Sequence, residues 1–80
     1  NMSLVHPREV FSTALLLRAC SIICIHNHPS GTPEPGHEDL DITRRLVGAG
    51  QLLGIKLLDH VIIGDGTDRY YSMMDEGKLN

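Results

Sequence analysis

Cys20-Ser21-Ile22-Ile23-Cys24-Ile25-His26 runs through Asn27-His28 into Pro29-Ser30-Gly31-Thr32-Pro33-Glu34-Pro35-Gly36. Ile22, Ile23 and Ile25 are β-branched, and the run is apolar on both faces. That pattern predicts a strand over 20–26, covered on both sides and central in its sheet. The prolines and glycines of 29–36 fit neither a helix interior nor a paired strand, so this stretch is a loop. After it, Glu38, Asp39 and Asp41 occupy an opening turn where they complement a helix dipole, and Ile42, Leu46, Ala49 and Leu53 form one apolar stripe. A helix over 37–53 is expected. Gly48 and Gly50 weaken its second half, and Gly54 suits the left-handed turn that ends it.

Working outward, Ser3 to Val5 favours β structure, and Pro7 then opens a helix. Val10, Phe11, Ala14, Leu17 and the stem of Arg18 recur at helical spacing, which predicts an amphipathic helix over 7–19. Downstream, Leu57, Leu58, Val61, Ile62 and Ile63 build a strand within 55–64. Asp65-Gly66-Thr67-Asp68 makes a turn, a third strand covers 69–73, and the remainder reads as a polar tail. Helix, strand, helix, strand, strand points to an α/β class with a mixed sheet flanked by helices.

Eighty residues is about half the usual ~100–150-residue domain, so the chain holds at most one domain, or part of one. Hydrophobic residues at 41% and charged residues at 21% argue for a folded chain rather than a disordered one. Phe11, Tyr70 and Tyr71 are the only aromatics, so the core must be aliphatic. The longest apolar run, 19–25, is broken by Ser21 and falls far short of the ~20 residues of a membrane span. No secretory signal is evident. Cys20 and Cys24, four apart on a strand, lie roughly 13 Å from one another, too far for a disulfide. Reduced thiols suit a cytoplasmic location. The net charge is -3, and Arg44-Arg45 is the only basic pair, most simply a solvated helix face. Direct nucleic-acid binding is therefore not expected.

His26 and His28, two apart, project from one face if the extended geometry persists to the strand's end. Asp39 follows eleven residues later in the first turn of the helix, three residues before Ile42, and can point toward the sheet. Two histidines and one carboxylate, with a position left for water, suit a catalytic zinc; structural zinc sites are usually closed by four protein ligands. On spacing alone the histidines are equally compatible with solvation or hydrogen bonding. Glu38 borders the stripe as Asp39 does, and either carboxylate can serve only the dipole.

The string His26-Asn27-His28-Pro29-Ser30-Gly31, followed by Pro35 and Asp39, closely resembles the signature of the RadC family, whose members carry a JAMM-type metalloprotease motif. Val5-His6-Pro7-Arg8-Glu9-Val10-Phe11 and Leu57-Leu58-Asp59-His60-Val61-Ile62-Ile63-Gly64 are similar to that family too, so the likeness covers nearly the whole chain. The resemblance implies a cytidine-deaminase-like α/β fold and a zinc held by His26, His28 and Asp39. It also implies hydrolysis of peptide or isopeptide bonds in a peptide or protein substrate. The deaminase signature of His-x-Glu with Pro-Cys-x-x-Cys is absent, so the fold does not bring that chemistry with it.

Two positions depart from the pattern. A serine is expected three residues before the aspartate, where its hydroxyl helps hold the tetrahedral intermediate, and Gly36 stands there. A glutamate general base is expected upstream of the His-x-His, and the only glutamate before His26 is Glu9, which matches a different family position. The expectation is that the chain is the C-terminal part of one RadC-like JAMM domain, lacking its N-terminal strands, with the base outside it. Two rivals remain: an interaction module with a structural zinc, favoured by Gly36, and a DNA-repair-associated factor without direct DNA contact. The oligomeric state is open. His60 reads as structural or hydrogen-bonded rather than active, Ser30 as a stabiliser of the loop turn, and the cysteines as packing rather than as a Cys/His site.

Overall fold

Helix α2 occupies His37–Leu53, the span its apolar stripe predicts, and ends at Gly54 with φ of 73°. Ile42 and Leu46 are buried on it, but Leu53 is exposed, and Gly50 takes its place against the next segment. A Cβ on Gly50 would lie 2.2 Å from the Ile55 carbonyl oxygen, so the glycine that weakens the helix is what lets the chain turn back closely against it.

The computed structural model describes residues 6–80, and the β-favouring stretch at 3–5 lies outside the described residues. Before α2 come α1, Pro7–Leu16, and β1, Ser21–His28; after it come β2, Lys56–Gly64, and β3, Tyr70–Ser72. The sheet order is β1-β2-β3, with β1 and β2 parallel and β3 antiparallel to β2. The class is thus α/β with a mixed, open sheet. α1 stops short of the expected residue 19. Leu17 caps it and Arg18 takes a left-handed φ of 55°, which swings Ala19 back onto the core and leaves Leu17 exposed.

The apolar run at 20–26 is not a central strand. Among the described residues β1 pairs only with β2, and β2 is central. Ile22 and Cys24 pack toward the helices, whereas Ile23 and Ile25, on the opposite face, are 58% and 65% exposed. An apolar run reports which residues tolerate burial, and here only one face finds it.

Phe11 and Ala14 of α1, Ile42 and Leu46 of α2, and Ile55 and Leu57 at the start of β2 form the core. It sits at the beginning of the parallel strands; toward their carboxyl ends stand the polar residues and the fully buried Ile62. A bulge interrupts the register between Ile22 and Ile23, where Leu58 is the extra residue of β2. The third strand is shorter than 69–73, with Met73 fully buried just past its end, and the tail is not wholly polar in behaviour, since Leu79 packs against the core. Asp59, buried on the face away from α2, accepts hydrogen bonds from the Ser72 hydroxyl at 2.5 Å and the Met74 N–H at 2.9 Å, and so ties the tail to β2.

Candidate metal centre

β1 remains extended through His28, so His26 and His28 face α2 together. The first turn of α2 brings Asp39 opposite them. The three meet at the carboxyl end of a parallel pair, where α/β sheets commonly leave room for ligands. His26 Nδ1 lies 3.2 Å from Asp39 Oδ1, and His28 Nε2 lies 3.2 Å from Asp39 Oδ2. All three side chains are largely buried, Asp39 at 2% exposure, whereas Glu38 beside it is exposed. Of the two carboxylates bordering the stripe, Asp39 is the one aimed at the sheet.

The hydrogen bonds around the trio fix its chemistry. His28 Nδ1 lies 2.8 Å from the Thr32 carbonyl oxygen, which only accepts, so Nδ1 carries the proton and Nε2 of the neutral ring presents a lone pair. The Gly36 N–H donates to Asp39 Oδ2 at 2.7 Å and holds the carboxylate in place. His26 Nδ1, His28 Nε2 and Asp39 Oδ1 are buried without a hydrogen-bond partner, despite lying so close together. Buried polar atoms are ordinarily satisfied. Ligand atoms of the three residues lie within 4.8 Å of one another, a group able to hold a metal ion. A cation between them takes one orphaned atom from each of the three side chains, while the second ring nitrogen of His26 and Nε2 of His60 stay unpartnered, so the donor set fits a metal.

Burial pushes the His26 imidazole below the usual histidine range; His28 adds to the push and Asp39 partly opposes it. His60 is lowered by burial first and by His26 next. Both rings therefore favour the neutral form, the one that ligates metal. The sign for stability follows. Unfolded histidines take up protons near pH 6.5, while these two, folded, resist doing so until lower pH. The unfolded state binds more protons in that window, so stability is fully present above about 6.5 and falls as pH drops below it. Urea midpoints of the metal-free protein at pH 7.5 and 5.5 should show the decline, and His60→Phe should reduce it.

An open groove of about 590 Å³ adjoins the trio, with His28, Ser30, Thr32, Glu34 and Glu38 on its walls. The Ser30 hydroxyl accepts a 3.4 Å hydrogen bond from the Thr32 N–H and so stabilises the loop turn. Arg69 clips the same loop through Glu34, with Nη2 at 3.1 Å from both carboxylate oxygens. Cys24 packs against the core, Cys20 is exposed, both are free, and neither joins the metal-capable group. Arg44 and Arg45 both reach Asp41 on the exposed helix face.

The family model of the RadC-like JAB domain matches residues 1–78. This chain belongs to the RadC family. Its relatives include UPF0758 proteins from Methanosarcina acetivorans, 60% identical over 77 residues, and from Geotalea uraniireducens, 58% identical over 79 residues. Another, from Bacillus licheniformis, is 57% identical over 79 residues. These matches cover 96%, 99% and 99% of this chain but 33%, 34% and 34% of the relatives, so it spans about a third of their length. The open three-stranded sheet is compatible with part of a JAB-like fold. No described helix of this RadC-like chain is long and apolar enough to cross a membrane.

Sequence reasoning did not find Thr43. It lies four residues after Asp39, one helical turn, and that spacing was the available signal. His60 reads from sequence as structural or hydrogen-bonded, and its facing the trio is hidden there, because the bulge at Leu58 reverses the alternation counted from Leu57.

Proposed function

We propose that this RadC-like chain carries the metal centre of a zinc-dependent hydrolase of peptide or isopeptide bonds, with His26, His28 and Asp39 as ligands. The observation that carries the reading is the set of buried, unpartnered donor atoms on three converging side chains beside an open groove. Three protein ligands leave a coordination position for a reactant. Zinc held there supplies Lewis acidity toward a carbonyl and makes water nucleophilic near neutral pH. The chain's own part is to hold the carboxylate through the Gly36 N–H, to fix the His28 tautomer through Thr32, and to keep the donor atoms buried. Glu9 is exposed in the first turn of α1 and stands outside the metal-capable group, so the general base is assigned to a glutamate beyond this chain.

The test is zinc-loaded full-length protein incubated with peptide and lysine-branched isopeptide substrates, with zinc-matched His28→Ala as blank. Hydrolysis above the blank supports the reading. Wild type and Gly36→Ser both at the blank's rate across a broad peptide library overturn it. One observation favours a second reading, an interaction module whose metal is structural: the turn before α2 offers a backbone N–H at Gly36 where a catalytic hydroxyl is expected. On either reading the partner is a peptide or protein. The acidic balance and the engagement of both adjacent arginines by Asp41 give no support to direct contact with DNA.

A further inference from the structure

His60 is fully buried, belongs to the central strand, and makes two unrelated contacts. Its ring stacks nearly parallel on His26, with centroids 5.9 Å apart and planes within 9°. Its Nδ1 lies 2.7 Å from the Thr43 hydroxyl, which lies 2.7 Å from the backbone carbonyl oxygen of Asp39. A hydroxyl has one proton. The Asp39 carbonyl can only accept, so the Thr43 proton goes there, and His60 Nδ1 must be the donor to Thr43. This fixes the neutral tautomer of His60 with hydrogen on Nδ1 and leaves Nε2 a bare acceptor, buried and unpartnered. Leucine or phenylalanine would fill the same volume without stranding a nitrogen.

We infer that Thr43 and His60 form a positioning brace for the His26, His28 and Asp39 group. One end grips the backbone of the residue that brings the carboxylate on α2. The other presses a flat ring against the residue that brings an imidazole on β1. The brace sets the spacing between two arms that arrive from different elements and share no direct hydrogen bond. The apolar core cluster lies at the other end of the strands, and Ile62, fully buried in register with His26, makes no polar link between the two arms. Neither residue touches a reactant; both act through the ligands. The inference rests on the metal reading for its purpose but not for its geometry, which is a property of the metal-free chain.

The experiment compares wild type, Thr43→Ser and Thr43→Val. Serine keeps the hydroxyl, and valine keeps the shape without it. Long-range proton–nitrogen NMR on the metal-free full-length protein, at a pH where the histidines are neutral, should show hydrogen on Nδ1 of His60 in wild type and Thr43→Ser. In Thr43→Val that tautomer should be lost and the His26 ring resonances should shift. Cobalt and zinc titrations should give Thr43→Val an affinity 10–100-fold weaker, the usual consequence of deleting a group that orients a ligand, and Thr43→Ser close to wild type. A merely structural role would lower the stability of Thr43→Val without moving the His60 tautomer or the His26 resonances. Hydrogen on Nε2 in the wild type overturns the inference outright, even if Thr43→Val fails to fold. So does a Thr43→Val protein with unchanged His26 resonances. If no form binds metal, the metal reading falls and the tautomer and ring shifts alone decide the brace.

Discussion

Zinc added to the metal-free protein should saturate at about one equivalent per chain, and His28→Ala should leave occupancy near zero at the same free zinc. The substitution removes the lone pair that Thr32 aims at the site and leaves a carboxylate and a single imidazole. Deleting an outer group that merely orients a ligand costs 10–100-fold in affinity, and deleting the ligand should exceed that. Asp39→Ala should behave alike. Glu38→Ala is the control, because Glu38, the residue before Asp39, is exposed and stands outside the metal-capable group. Elemental analysis showing equal zinc in wild type, His28→Ala and Glu38→Ala would remove the trio from consideration.

Gly36→Ser should raise hydrolysis on the order of 10²–10³-fold in full-length protein, the range over which a single oxyanion donor acts. The position accepts the change. Gly36 has φ of -84° and ψ of 177°, open to any residue, and a Cβ there lies 3.6 Å from Asp39 Oδ2, ordinary contact. The added hydroxyl enters at the cap of α2 beside the carboxylate. Zinc-matched rates against His28→Ala would be compared. The 80-residue chain alone should stay near the blank, since losing a general base costs ~10²–10⁴-fold. If full-length wild type and Gly36→Ser both match the blank, the second reading, a structural metal, takes over.

The bounds of α2 and the break at 29–36 were legible because each rests on local chemistry: a stripe at helical period, acids in the first turn, prolines that cannot pair. The approach of His26 and His28 was legible as well, since alternation in a strand needs only that the strand continue. What failed depended on the third dimension. Ile23 and Ile25 read as buried because residue type records an affinity for burial, not the presence of a covering layer. Arg18 gives no local sign that it adopts a left-handed conformation, which ended α1 early. Leu79 packs on the core from a stretch that reads as a polar tail, because Asp59 holds the Ser72 hydroxyl and the Met74 N–H, contacts set by the hairpin rather than by the tail's own sequence.

Gly64, at the end of β2, is pressed so closely on the loop before α2 that a Cβ there would lie 2.2 Å from the Gly31 carbonyl oxygen. The same loop is tied at His28, whose carbonyl accepts the N–H groups of both Gly31 and Asp65. Segments that carry ligands on long loops usually surrender conformational freedom when the ligand arrives, and that loss is subtracted from affinity. Here the backbone from His28 to Glu34 is already tied in the metal-free fold, through His28, Gly31, Thr32 and Glu34. The entropy is given up once, in folding, so association with an ion is left to be a matter of desolvation.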